Sequence, residues 1–93
     1  MIRAVLRDDE IPYFAWDRAW TVRDIADRLH GASGFEWTRI ASWILREAAF
    51  DDVWRFLGPE EVRDHLEELL PLLGRSREFW KYIIGAWHKL GKF

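Results

Sequence analysis

Apolar residues recur every three or four positions along most of the chain, which is the spacing of helices that bury one face. Thr21 and Asp24 can form a capping box, which starts a helix that ends at Gly31. A second helix is predicted from about Phe35 to Ala49. These helix signals follow one another closely and leave little room for strands.

Three further helices are predicted in the second half of the chain. The stretch "FDDVWRFLG" is expected to form a short helix that Asp51 caps and Gly58 ends. Pro59 stands at a favoured first-turn position and opens a fourth helix through "PEEVRDHLEELL". After a proline and a glycine that break the chain, Ser76 is expected to cap the final helix.

The first twenty residues carry the weakest helix signals. Pro12 disfavours helical backbone at Ile11, so "IPYFAWD" is expected to be extended and residues 1–20 to be partly so. No repeat or low-complexity linker divides the 93 residues. The sequence therefore predicts an all-α fold, a small single-domain orthogonal bundle of four to five helices.

The last two predicted helices have charged faces of opposite sign. On the fourth, leucines share an arc of about 100° and five acids stand against Arg63 on the other side. From Arg75 onward, five bases stand against Glu78. The final helix is predicted to bury an apolar arc of about 140°. That arc comprises Phe79, Trp80, Ile83, Ile84, Trp87 and Leu90.

Composition narrows the class of protein. Seven tryptophans and six phenylalanines supply enough rigid volume for a core without disulfides, and cysteine is absent. No apolar run approaches the length of a membrane span or of a signal-peptide centre, so we expect a cytoplasmic protein that does not enter the membrane. The net charge of −2 is not typical of a nucleic-acid-binding domain.

The sequence contains no pattern of catalytic residues. His30, His65 and His88 fall on three different predicted helices, and no pair has the spacing of a helical zinc site. The serines have capping or surface roles and no base nearby in sequence. We therefore expect a protein that is not an enzyme and that uses no metal or cofactor.

Trp43 stands apart from the apolar stripe of the second helix. At 100° per residue it projects to the polar side, near Arg39 and Arg46. Either "IPYFAWD" covers this ring, which we favour, or the ring is exposed. An exposed tryptophan flanked by arginines would be a hot spot for a partner protein, or for a second copy of the chain in a homo-oligomer.

The stretch "TVRDIADRLHGASGFEWTRIASWILREA" offers an alternative function. Two helices around a glycine turn could form a helix-turn-helix whose 35–49 helix reads DNA through Arg39 and Arg46. The connector "HGASGF" is long for that motif, and the slightly acidic composition also counts against it. A plain helical hairpin is favoured, with DNA binding as the second hypothesis.

Three stretches together resemble a family of small prokaryotic proteins: "YFAWD", "ILREAAFDDVWRFLGPEEVRDHL" and "REFWKYIIGAWHKLG". Members of that family often accompany nucleotidyltransferase-type toxins of abortive-infection systems. The resemblance implies an antitoxin-like companion that neutralises its toxin by direct binding. It supplies no functional residues that could be transferred to this chain.

An acidic surface would suit such a partner. A nucleotidyltransferase needs a basic cleft for the phosphates of its substrates, and an acidic helix face could occupy that cleft. The candidate residues are Glu60, Glu61, Glu67 and Glu68. The leading hypothesis from sequence is therefore a non-catalytic protein-binding module that uses these carboxylates together with Trp43 and its neighbouring arginines.

Overall fold

The computed structural model describes residues 6–91, and every regular element in that range is helical. Of the residues in this range, 70% are helical, which confirms the predicted all-α class. Short 3₁₀ turns occur at Tyr13–Ala15, Leu70–Leu72 and Gly74–Ser76. None of the helices in the described range is long and apolar enough to cross a membrane. The α-helices are α1 (Val22–Gly31), α2 (Gly34–Glu47), α3 (Phe50–Val53), α4 (Pro59–Asp64), α5 (Leu66–Leu69) and α6 (Arg77–Lys89).

The predicted capping box starts α1. The amide of Asp24 donates to Oγ1 of Thr21 at 3.1 Å, and the amide of Thr21 donates to Oδ2 of Asp24 at 3.0 Å. These hydrogen bonds lower the pKa of Asp24, and the charge of Arg28 adds a smaller effect in the same direction. The box thus fixes where α1 begins, and with it the position of Arg28 two turns along the helix.

Helix α2 lies at the centre of the fold and is buried on more than one side. Ala41, Ile44 and Leu45 of its predicted stripe are buried. Thr38 and Ser42 are buried as well, and their hydroxyls donate to backbone oxygens of the preceding turn at 3.1 and 2.9 Å. Because these polar side chains satisfy their hydrogen bonds locally, α2 can pack against several neighbours at once.

The start of α3 differs from the prediction. Asp51 was expected to be its cap, but the helix already begins at Phe50 and Ala49 occupies the cap position without a side-chain hydrogen bond. The hydroxyl of Tyr13 takes this role instead, since it accepts from the amide of Ala49 at 2.6 Å. It also donates to Oδ2 of Asp52 at 2.6 Å. A residue far away in sequence thus fixes this helix start.

The single helix predicted after Gly58 is broken into α4 and α5. Its first-turn proline, Pro59, stands where predicted. At His65 the backbone leaves helical geometry, with φ −111° and ψ 16°. The carbonyl oxygen of His65 then accepts from the amides of both Glu68 and Leu69, a bifurcated arrangement common at helix ends. The break adds one helix to the predicted count.

Helix α6 buries less of its apolar arc than predicted. Trp80 and Ile84 are buried, and the indole nitrogen of Trp80 donates to the carbonyl oxygen of Leu45 at 3.0 Å. Phe79 and Leu90, by contrast, are exposed. The predicted arc is wider than the neighbouring helices can cover.

The capping hydrogen bond expected from Ser76 at the start of α6 is absent. Ser76 stands at the cap position, but its hydroxyl makes no capping hydrogen bond. It donates instead to the carbonyl oxygen of Leu73 at 2.8 Å, within the preceding 3₁₀ turn. The serine therefore stabilises the connection into α6 rather than the helix start.

The segment before α1 combines extended backbone with one tight turn. Residues 1–5 of the predicted extended stretch lie outside the described range. Pro12 is extended, as predicted, and its side chain is buried, but Tyr13–Ala15 forms a 3₁₀ turn. Ala19 then adopts a positive φ of 56°, which L-residues rarely do. This reversal lays the segment back across α2 before α1 begins.

Candidate functional site

Four arginines from three parts of the chain line one groove over α2. Arg18 comes from the segment before α1, Arg28 from α1, and Arg39 and Arg46 from α2. The groove has a volume of about 310 Å³. Glu36 is the one carboxylate among its described lining residues. The arginine groove is therefore a concave surface with a strong excess of positive charge.

Trp43 forms the floor of the arginine groove and is only 5% exposed. Its ring lies 5.3 Å from that of Phe14 and 5.8 Å from that of Trp20, between ring centroids. The prediction that "IPYFAWD" covers this ring is therefore confirmed. The alternative of an exposed Trp43 is wrong, because the chain itself already packs Phe14 and Trp20 against it. The ring is not available as a partner hot spot or as a homo-oligomer contact.

Two of the guanidinium groups lie over tryptophan rings. The Cζ atom of Arg18 is 4.5 Å from the ring centroid of Trp43 and 5.2 Å from that of Trp20. The Cζ atom of Arg28 is 4.1 Å from the ring centroid of Trp20. Cation–π contacts of this kind fix the plane of a guanidinium and leave its N–H edge for an anion. The rings thus position charge at the groove.

The other two arginines come from α2 itself. Nη1 of Arg46 donates to the carbonyl oxygen of Leu72 at 2.7 Å, which ties α2 to the 3₁₀ turn at Leu70–Leu72. Arg39 is exposed and forms no ion pair within residues 6–91. Four of the arginines outside the groove do pair with aspartates; they are Arg7, Arg23, Arg55 and Arg63. The groove arginines therefore concentrate positive charge that no carboxylate in the described range neutralises at contact distance.

Sequence reasoning found half of this site. It placed Trp43 beside Arg39 and Arg46, and the structure brings all three to the arginine groove. It missed Arg18 and Arg28. The covering role given to "IPYFAWD" was the available signal for Arg18, since a segment that reaches Trp43 carries the next residues with it. Arg28 had no comparable signal, because its place depends on how α1 packs.

The four candidate glutamates form a separate acidic face. All are exposed, two in the first turn of α4 and two in α5. Glu61 accepts from the amide of Gly58 at 3.3 Å and so caps α4. Glu68 lies 3.4 Å from Nδ1 of His65. Glu60 and Glu67 form no ion pair within residues 6–91 and extend into solvent.

The acidic face and the arginine groove adjoin each other at one edge. Phe35 and Leu72 line the groove, and the same two residues line a neighbouring depression together with Glu68. Phe35 is 69% exposed, so a large apolar side chain stands between the two charged surfaces. A ligand of mixed charge could therefore span both surfaces across this phenylalanine.

The connection between α1 and α2 is shorter than predicted. Only Ala32 and Ser33 separate the two helices, so the expectation of a long connector was wrong. The face of α2 between Arg39 and Arg46 is nevertheless covered, because Phe14 and Trp20 lie against Trp43 there. A recognition helix has to present such a face to the major groove of DNA. The packing therefore does not favour recognition of duplex DNA by α2.

The histidines are placed among packing and surface contacts. The ring of His65 lies 4.7 Å from that of Trp37, between centroids. His30 lines the same depression as Trp37 and His65, between α1 and the break that follows α4. Within the described range, no group of three or more histidine, aspartate or glutamate side chains could hold a metal ion.

Comparisons with known proteins identify no relative of this chain. No protein-family model matches the chain, and neither the curated proteins nor the solved structures contain a significant match. The resemblance to antitoxin-like proteins therefore stays a prediction. The fold and the charged surfaces define a small all-α protein with an arginine-lined groove.

Proposed function

We propose that this protein is a non-catalytic binding module that holds an acidic segment of a partner protein in the arginine groove. The convergence of four guanidinium groups on one groove carries this proposal. In a chain of net charge −2, such a concentration of positive charge is local rather than a consequence of composition. It matches a ligand that brings its own carboxylates.

The packing of the tryptophans favours a protein ligand over single-stranded nucleic acid. Strand-binding grooves combine positive charge with aromatic faces on which bases stack. Here guanidinium groups lie over Trp20 and Trp43, so these faces are already used. Phe35 is the large exposed aromatic side chain that remains at the groove.

Apolar side chains beside the arginines define the ligand further. Phe35, Ile40 and Leu72 line the groove together with the guanidinium groups. A segment in which carboxylates alternate with apolar side chains would satisfy both kinds of contact. Each charge-assisted hydrogen bond from an arginine would contribute about 1.5–3 kcal/mol to binding.

The resemblance would make this partner a nucleotidyltransferase-type toxin, with the protein acting as its antitoxin. The exposure of Glu60, Glu61, Glu67 and Glu68 supports a second contact, in which the acidic face occupies the basic cleft of the toxin. Since this face adjoins the arginine groove at Phe35, one partner could engage both surfaces.

Fluorescence anisotropy with a labelled peptide that alternates glutamate and leucine tests the groove. We expect saturable binding with one peptide per chain, and no binding of a glutamine–leucine peptide of equal length. Arg39→Ala should weaken binding about tenfold or more, because it removes one charge-assisted contact. Arg75→Ala is the matched control, since Arg75 is exposed and lies on the turn before α6.

Two results would overturn the groove assignment. One is equal binding of the acidic peptide by the Arg39→Ala and Arg75→Ala variants. The other is tighter binding of a single-stranded or duplex oligonucleotide of equal charge, which would restore the nucleic-acid alternative. For the acidic face, a nucleotidyltransferase encoded beside this protein is the probe. Reversal of the four glutamates to lysine should weaken that complex, and unchanged affinity would remove this contact.

A further inference from the structure

Helix α6 exposes an apolar stripe that the rest of the described chain covers only in part. Phe79 is 47% exposed, Tyr82 72% and Leu90 71%. The half-buried Ala86 lies between them at helical spacing. These four residues, here called the α6 stripe, follow one another at intervals of three or four residues and so form one continuous line along the helix. A continuous line of this kind, unlike scattered apolar residues, indicates a contact surface.

The charges beside the α6 stripe are arranged with opposite signs at its two ends. At 100° per residue, Glu78 and Lys89 lie within about 20° of each other, on the solvent-side rim next to Tyr82. Glu78 is in the first turn of α6 and Lys89 is in the last. The rim therefore carries an acid at one end and a base at the other.

We propose that the α6 stripe is the interface of a symmetric dimer in which α6 packs antiparallel against α6 of a second copy. A two-fold axis near the middle of the helix brings Glu78 of each copy beside Lys89 of the other. It also sets the large Tyr82 against the small Ala86, and Phe79 against Leu90. The surface is thus complementary to itself in both charge and size.

The same rim argues against a membrane as the occupant. Helices that lie on anionic bilayers carry bases along the polar edge of their apolar face. The rim of the α6 stripe has Glu78 as well as Lys89, and an acid at this position would be repelled by anionic lipid headgroups. An antiparallel copy of α6 instead neutralises both charges.

The size of the α6 stripe predicts a weak dimer. A standard interface buries about 800 Å² per partner, and one face of a helix of three to four turns supplies roughly half of that. The dimer should therefore form at high protein concentration and dissociate on dilution. Because the stripe and the arginine groove use different residues, this dimer does not depend on the proposed function.

Sedimentation velocity over a wide range of protein concentration tests the dimer. The wild type should shift from monomer to dimer as concentration rises. Tyr82→Glu should remain a monomer throughout, because it places charge beside the two-fold axis. Circular dichroism of this variant should match that of the wild type, because the substituted position is exposed. A wild type that stays monomeric at every concentration would overturn the proposal.

A charge exchange identifies the antiparallel arrangement. Glu78→Lys alone, or Lys89→Glu alone, should weaken the dimer by about tenfold, since each creates like-charged pairs across the interface twice. The double variant E78K/K89E should restore it. Arg77→Glu, about 180° from the centre of the α6 stripe, is the matched control and should leave the dimer unchanged. Equal weakening by Arg77→Glu, or no rescue by the double variant, would contradict this arrangement.

Vesicles of anionic phospholipid separate the membrane alternative. The wild type should remain in the supernatant when such vesicles are sedimented. Sedimentation of a monomeric wild type with the vesicles, abolished by Tyr82→Glu, would assign the α6 stripe to a lipid surface and overturn the dimer.

Discussion

The arginine groove and the α6 stripe are both open surfaces, and they are built in opposite ways. In the groove, the large ring of Trp43 is buried and the guanidinium group of Arg18 lies over it. On α6, large apolar side chains such as Tyr82 lie outermost and the charges stay at the rim. The first surface therefore presents positioned charge to a ligand, and the second presents apolar area.

The difference follows from what each helix has beside it. Trp43 is covered by a segment that an unusual turn at Ala19 lays across α2. No comparable segment in the described range crosses the outer side of α6 at Tyr82 and Leu90, so these side chains stay exposed. Whether a helix face is buried thus depends more on distant parts of the chain than on the residues of that face.

The largest expected effect is a difference in how much the two surfaces contribute to the free energy of unfolding. Trp43→Ala should lower the free energy of unfolding by about 3–5 kcal/mol, because it leaves a cavity under the arginine groove. Tyr82→Ala on the α6 stripe should change it by less than about 0.5 kcal/mol, as is usual for exposed positions. Urea denaturation of both variants measures this contrast. Similar losses for the two would mean that the α6 stripe is packed in solution.

A smaller effect is expected at the contact that anchors the segment over α2. Tyr13→Phe removes the hydroxyl that accepts from the amide of Ala49 and donates to Asp52. Each of the two hydrogen bonds contributes about 0.5–1.5 kcal/mol, so we expect the free energy of unfolding to fall by about 1–2 kcal/mol. Tyr82→Phe deletes the same atom from an exposed ring and is the matched control. An equal effect of the two changes on the urea midpoint would contradict this role for Tyr13.

Local signals predicted the helix starts well where the cap lies close in sequence. The box of Thr21 and Asp24 and the first-turn position of Pro59 were both found from sequence, because each depends on residues within one turn. The start of α3 was not, and at α6 the cap position of Ser76 was found but not the hydrogen bond that its side chain makes. Tyr13, far from α3 in the chain, replaces the expected cap at Asp51, and no spacing rule contains such a contact.

The residues of the candidate site were likewise predicted only in part. Helical phase placed Trp43 with Arg39 and Arg46 on one face, and that holds in the structure. Phase could not add Arg18 or Arg28, because their positions depend on how the preceding segment and α1 lie against α2. For α6, phase gave the apolar arc correctly but not the part of it that neighbours cover.

A substitution in the turn at Ala19 is expected to stabilise the protein, unlike the two substitutions above. Its φ of 56° costs an L-residue about 1–2 kcal/mol, whereas glycine adopts it freely and loses about 0.5–1 kcal/mol through its more flexible unfolded state. Ala19→Gly should therefore raise the free energy of unfolding by about 0.5 kcal/mol. Ala32→Gly, at an ordinary φ of −90°, should lower it by a similar amount. Thermal unfolding of the pair tests this, and the same sign of change for both would exclude strain at Ala19.

The smallest effect concerns α1, which carries Arg28 to the arginine groove. Hydrogen bonds with Thr21 lower the pKa of Asp24 below its ordinary value of 3.8, so the ionised carboxylate is the form that stabilises the helix start. A lowered pKa in the folded state means that this stabilisation is complete above the ordinary value and is lost as pH falls through the lowered one.

Asp24→Asn should consequently be less stable than the wild type at neutral pH, and the difference should disappear in strong acid. Urea denaturation over a series of pH values follows this difference. Asp27→Asn is the matched control, because it removes the same charge from α1 at an exposed position outside the capping box. A pH dependence equal to that of Asp24→Asn would attribute the effect to the net charge of α1 rather than to the box. In that case the start of α1 would be fixed by other contacts, such as the hydrogen bonds from the amides of Val22 and Arg23 to the carbonyl oxygens of Glu10 and Asp8.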